Sequence, residues 1–237
     1  MMVMCNLDAE TVSLEAITVP PASGHSPQGV IVLLHGWGAN YQDLLTLTPY
    51  LDLPDIQFIF PNAPFAHPYG PAGRMWYDFP NDYSFLGSSE FGDRPDLASS
   101  RQQLTQLLSE LPNTTGIPLS ETILGGFSQG GAMTLDVGLS LPLKALMVLS
   151  GYVHTPLRST LPAPIPVLLV HGRQDPVVPI QAAHQAKSQL QALGIPVNYQ
   201  EFNMGHEIQP LVLEQIHTFV KQRFISNKPE INSEQAD

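Results

Sequence analysis

The chain has 237 residues, 43% of them hydrophobic, enough apolar material for one sizeable core in water. Ten Lys and Arg stand against 21 Asp and Glu, a formal charge of -11 that repels phosphate backbones and anionic lipid, so nucleic acid is not an expected partner. Cys5 is the sole cysteine, which excludes an intrachain disulfide framework and fits a reducing compartment, the cytoplasm. The first residues lack the basic and apolar regions of a signal peptide, and every apolar run falls far short of the roughly 20 residues of a membrane span, so no stable membrane insertion is expected.

Residues 12–19 alternate apolar and polar and stop at Pro20-Pro21, which predicts an outer strand followed by a loop. Residues 29–35 form a continuous apolar run, the pattern of a strand covered on both faces of a parallel sheet. A short helix over 42–51 and a strand over 56–60, stopped by Pro61, come next. Residues 61–94 break this rhythm with Pro, Gly, Asn and many aromatics, among them Phe65, Tyr69, Trp76, Tyr77, Phe79 and Phe91. Aromatic density is the opposite of a disorder signature, so an ordered loop lining a site is expected. Phe65, Tyr69, Trp76 and Tyr77 are the expected acyl- or alcohol-binding residues; the plainer alternative is that Trp76 and Tyr77 pack the loop onto the sheet.

Leucines at helical spacing predict a helix over 95–111 with Pro112 as terminator. Strand 122–124, helix 128–141, strands 145–149 and 167–170, helix 180–193, strand 197–202 and helix 208–224 follow. Such alternation defines an α/β class with a mostly parallel central sheet and helices on both faces. Residues 1–225 are expected to form a single domain and the polar residues 226–237 a frayed tail. The short, proline-rich stretch 151–165 leaves no room for a large cap domain.

The chemistry centres on Gly126-Phe127-Ser128-Gln129-Gly130, placed between an apolar strand and a helical pattern. A sharp strand-to-helix turn holds a serine hydroxyl out of the core and near a helix N-terminus, and small flanking residues make the turn sterically possible. A helix N-cap role for Ser128 would leave glycines 125, 126, 130 and 131 unexplained. Such a serine needs a histidine to take its proton and an acid to orient that histidine, in the chain order Ser, Asp or Glu, His.

Between Ser128 and the last histidines only Asp136, Asp175 and Glu201 qualify as the acid. Asp136 falls within a predicted helix and Glu201 within a predicted strand, whereas Asp175 follows a buried strand, where a loop at the carboxyl end of the sheet would present it. Chain order removes His25, His35, His67, His154 and His171 as the base; His184 and His217 sit in predicted helices. His206, in a loop before the last helix, remains. Backbone N–H groups of Gln129 and Trp37 are the expected oxyanion donors, so the side chain of Gln129 should be largely dispensable. His206-Glu207 continues Ile-Gln-Pro rather than into a zinc motif, and no phosphate-binding glycine motif is complete, so neither metal nor cofactor is implied.

Together Leu34-His-Gly-Trp-Gly38, Pro61-Asn-Ala-Pro64, Trp76-Tyr-Asp78, Gly126-Phe-Ser-Gln-Gly-Gly131, His171-Gly with Asp175-Pro-Val-Val-Pro179, and Gly205-His206 resemble the phospholipase/carboxylesterase family. The resemblance implies an α/β-hydrolase fold, a triad of Ser128, Asp175 and His206, an oxyanion hole from Trp37 and Gln129, and no cofactor. It further implies a serine carboxylesterase, or else an acyl-protein thioesterase or lysophospholipase, and the aromatic loop makes small to medium lipophilic esters the expected substrates. Trp37 stands where the family usually has leucine. A non-catalytic ligand-binding protein on the same fold is the rival class, and would be expected to have lost a triad member. Substrate partners are small-molecule esters or thioesters, and a homo-oligomer is left open.

Overall fold

In the computed structural model, residues 13–79 and 90–225 are described. The chain runs through β1 (Ala16–Val19), β2 (Gly29–Leu34), α1 (Tyr41–Leu45), β3 (Ile56–Pro61), β4 (Phe65–Ala66), β5 (Arg74–Met75) and α2 (Pro95–Thr115). It continues through β6 (Thr122–Phe127), α3 (Gln129–Gly138), β7 (Ala145–Leu149), β8 (Val167–Gly172), α4 (Ile180–Ala192), β9 (Val197–Phe202) and α5 (Pro210–Ile225). Seven of the described strands form one sheet in the order β1-β3-β2-β6-β7-β8-β9, parallel except for β1, which pairs antiparallel with β3. This is the α/β-hydrolase architecture.

The continuous apolar strands are buried because side chains alternate between two covered faces. Val30, Val32 and Leu34 of β2 join the core under α2, α3 and α4, with Leu104, Leu108, Met133 and Leu190. Ile31 and Leu33 of the same strand join the core under α1 and α5, with Leu44, Ile216 and Phe219. Strand order reverses between β2 and β6: β3 lies to one side of β2, and β6 through β9 follow on the other. Ligands of such sheets bind beyond the carboxyl ends of the strands at that switch point. The loops after β2 and β6, the two motifs richest in glycine, emerge there.

Several expected boundaries move. The helix expected over 42–51 ends at Leu45 and is followed by a single 3-10 turn, Thr48–Tyr50. Pro112 does not end α2: it lies in the last turn, where the ladder is nearly complete, and the helix closes at Gly116, whose left-handed φ of 73° returns its N–H to Pro112 O. β6 extends through Gly125 and Gly126 to Phe127, because the neighbouring strands and α3 press on it so closely that glycine is needed there rather than at a turn. Residues 151–165 form neither helix nor strand. Residue 12 of the expected first strand, part of the aromatic loop (80–89) and the tail expected beyond 225 lie outside the described residues. Among the described residues no helix is long and apolar enough to cross a membrane.

Candidate active site

Ser128 is held between β6 and α3 at φ 54° and ψ -117°, a left-handed backbone in a non-glycine residue. Such a conformation costs on the order of 1–3 kcal/mol and persists only where its surroundings over-determine it. They do so here. A Cβ at Gly126 would come within 2.3 Å of Gly130 C, and one at Gly130 within 2.2 Å of Leu34 O, so only glycines let the turn close against β2. Ser128 N donates to Leu149 O at 2.9 Å, and Ser128 O accepts from Ala132 N at 3.1 Å as α3 begins.

Asp175 and His206 are brought together from loops after β8 and β9. Asp175 Oδ2 accepts from His206 Nδ1 at 2.7 Å, while Asp175 Oδ1 accepts from the N–H groups of Val177 and Val178, each at 2.8 Å. Burial pushes the Asp175 pKa up, but the hydrogen bonds from His206, Val178 and Val177 outweigh it and leave a net lowering. An ionised Asp175 accepts only, so the Nδ1 of His206 carries a proton and Nε2 is the nitrogen turned away from the aspartate. Ser128 and His206 line one cavity, and Phe127 stacks at a tilt against the His206 ring with centroids 4.7 Å apart.

The loop after β2 lies against the elbow: a Cβ at Gly36 would sit 3.4 Å from the Cβ of Ser128. Gly38, at φ 79°, turns that loop so that Gly38 N donates to Arg74 O at 2.9 Å and Arg74 N to Ala39 O at 2.7 Å. Trp37 N–H meets no protein acceptor among the described residues, and Gln129 heads α3, where first-turn N–H groups lack intrahelical partners. Both donors are therefore available to a substrate oxygen.

The side chain of Gln129 is more than a bystander, against expectation. Fully buried, it accepts from Trp76 N and donates to Tyr77 O, both at 2.8 Å. The Trp76 indole in turn donates to His35 O at 3.0 Å, and Ser100 Oγ caps Trp76 O. One strap, residues 74–77, thus ties the elbow to the oxyanion loop.

The cavity beside Ser128 holds about 340 Å³ and is lined by Gly36, Trp37, Ala39, Asp43, Phe79, Phe127, Ser128, Val177 and His206. None of the four aromatics expected to bind substrate is on that lining. Trp76 and Tyr77 are fully buried, and the Tyr77 hydroxyl is spent on Tyr152 Oη at 2.6 Å. Tyr69 is 87% exposed, and Phe65 is held in the β4–β5 hairpin. The correction has a physical cause: the indole and phenol find hydrogen-bond partners in the core, so the largest aromatics anchor the strap instead of facing solvent. Phe79, from the same loop, lines the cavity, with Trp37 edge-on to it at 5.8 Å and to His67 at 4.1 Å. Phe127 and Val177 were legible as neighbours of Ser128 and Asp175; Asp43 carried no sequence signal.

Five of the remaining histidines are otherwise engaged. His35 is buried, accepts Ala63 N at Nε2 and meets Gly36 O through Nδ1, and burial lowers its pKa to about 4 despite that bond. His171 meets Val178 O at 2.8 Å through Nε2, and burial lowers its pKa too. His154 pairs with Asp136, His184 with Glu201, and His217 with Leu51 O. Among the described residues no group of three or more His, Cys, Asp or Glu side chains is placed to hold a metal ion.

A strained serine elbow at the switch point of a mostly parallel sheet places the chain among the α/β-hydrolases. Residues 16–224 match the phospholipase/carboxylesterase model, and the chain belongs to that family of hydrolases. It is 31% identical over 217 residues to acyl-protein thioesterase 1 of Saccharomyces cerevisiae, covering 83% of this chain and 93% of the relative. It is similar to the crystal structure of esterase PE8, with a TM-score of 0.77 and 33% identity over 89% of this chain and 99% of that one. SOBER1 F65L of Arabidopsis thaliana superposes with a TM-score of 0.70 at 25% identity, covering 82% of this chain and 99% of the other.

Proposed function

We propose that the protein is a serine carboxylesterase that hydrolyses small to medium lipophilic esters, with Ser128 as nucleophile, His206 as base and Asp175 as the orienting acid. The observation that carries this is the 2.7 Å Asp175–His206 bond opening onto the same cavity as the strained Ser128. His206 Nε2 takes the Ser128 hydroxyl proton as Oγ bonds to the acyl carbon, and the carbonyl oxygen becomes an oxyanion facing the N–H groups of Trp37 and Gln129. The intermediate expels the alcohol, which leaves with the proton from His206. Water then repeats the sequence on the acyl-enzyme and frees the acid. With mostly apolar walls the cavity suits a lipophilic acyl or alcohol group.

The same steps cleave a thioester, and the name of the yeast relative supports acyl-thioesters as the second substrate class. The lone Cys5 fits action in a reducing compartment, the cytoplasm. A fluorophosphonate probe tests the assignment: covalent labelling mapped to Ser128 is expected, with turnover of neutral esters of graded acyl length. Equal labelling of Ser128→Ala protein would sink it.

A further inference from the structure

Trp37, Ala39, Phe79, Phe127 and Val177 give the cavity beside Ser128 apolar walls. Besides His206, one titratable side chain among the described residues lines it: Asp43, in the first turn of α1. The carboxylates of Asp96, Asp136, Asp175, Glu121 and Glu201 are each paired with a basic side chain or a histidine. Asp43 is not: among the described residues its carboxylate meets neither a cation nor a hydrogen-bond donor. Partial desolvation raises its pKa, with no hydrogen bond or cation to oppose that as there is for its counterparts.

Asp43 is exposed as a whole residue, so water screens it in part, but at the edge of an apolar cavity it still attracts a cation more strongly than it would in open water. It equally disfavours a substrate carrying a carboxylate or phosphate nearby. The net charge of -11 acts in the same sense, concentrating cations at the surface. We infer that Asp43 and the cavity walls form a subsite for a positively charged group, an ammonium or quaternary ammonium, carried by the ester or thioester within a few bonds of the scissile carbonyl. The inference rests on the hydrolase activity proposed above and names the substrate class of that same site.

The test uses isosteric ester pairs in which a trimethylammonium group replaces a tert-butyl group, one pair with the change in the alcohol (choline against 3,3-dimethylbutyl) and one with it in the acyl chain. The quantity read is the cationic-to-neutral ratio of kcat/KM. On at least one pair the full-length protein should favour the cation by roughly three- to tenfold, the scale of a partly exposed charge pair. Asp43→Asn should bring that ratio close to the value for uncatalysed hydrolysis of the same pair, and added salt should erode it. The same ratio is read as binding to Ser128→Ala protein, by equilibrium dialysis, where no turnover is needed. Binding that favours the cation through Asp43, without turnover in the native protein, supports the subsite and overturns the esterase assignment. Turnover of the neutral esters with ratios indifferent to Asp43→Asn overturns the subsite and leaves the esterase standing. A loss of thermal stability in Asp43→Asn with unchanged ratios also overturns it, since that is what a carboxylate serving only the α1 dipole would give.

Discussion

Asp175–His206 and Asp136–His154 are both aspartate–histidine pairs, and they could hardly be used more differently. Asp175 and His206, 2.7 Å apart, lie on loops beyond the sheet, and His206 reaches a cavity it shares with Ser128. Asp136 and His154, 3.3 Å apart, are packed between α3 and the loop after β7, with His154 only 2% exposed. Arg101 also claims the Asp136 carboxylate, and the Tyr77 hydroxyl meets His154 Nδ1 at 3.3 Å. An acid beside a histidine is therefore not a catalytic signature in itself. Asp136 lines a cavity too, so what separates the two pairs is a histidine that shares its cavity with a nucleophile.

The sharpest way to break that comparison is to remove members of each pair. Ser128→Ala or His206→Ala should lower kcat by several powers of ten, and the double variant should be scarcely worse, because the residues act as a unit. His154→Ala should leave kcat within about tenfold while lowering stability, as expected of a buried side chain that touches no substrate. Steady-state kinetics beside thermal melts decide this; a collapse of kcat in folded His154→Ala protein would erase the distinction. Asp175→Asn should fall between, about four powers of ten down in kcat, since an amide can hold the wrong imidazole tautomer.

Gln129→Ala comes next, because it cuts the tie between elbow and strap without touching the serine. Two buried main-chain groups lose their partners, at about 1–3 kcal/mol each, and kcat should drop roughly ten- to a hundredfold with KM little changed. A variant of native kcat would show that the oxyanion loop is held by its own bonds to Arg74.

Asp136 offers a pH test. Burial raises its pKa, but His154 and Arg101 hold it down to about 2, below the ordinary value of 3.8. A depressed folded pKa means stability present above about pH 4 and lost as pH falls toward 2, on the order of 2 kcal/mol in all. Asp136→Asn should thus be destabilised at neutral pH by about that much, with the gap to native protein closing in acid. A gap independent of pH, followed by denaturant unfolding, would mean that shape rather than charge matters there. The smallest effects separate the aromatics: Phe79→Ala should flatten the dependence of kcat/KM on acyl length, and Tyr69→Ala should do nothing measurable to it. At about 0.8 kcal/mol for each methylene buried, the former is a few-fold per carbon.

How much of this was legible beforehand follows from the range of the forces involved. The strands of the sheet and the place of the elbow were readable because apolar runs and glycine steric limits are local: Gly126 and Gly130 must be small wherever a serine turn meets a neighbouring strand. Chain order left one acid and one histidine in suitable loops, and Asp175 and His206 do meet. In the described part of the aromatic segment, residues 61–79 and 90–94, the four aromatics expected to bind substrate do not line the cavity. Composition cannot say whether an indole faces solvent or a carbonyl, and the pairings of Trp76 with His35 and of Tyr77 with Tyr152 join residues far apart in the chain. The anchoring of Gln129 and the entry of Asp43 into the cavity are of the same kind. By itself the sequence determined the sheet, the elbow and the candidate triad, through steric and hydrophobic patterns carried by near neighbours. Only the tertiary structure decided which aromatics anchor and which line the cavity, and which carboxylate reaches that cavity, because those outcomes depend on which distant groups satisfy one another's hydrogen bonds and charges.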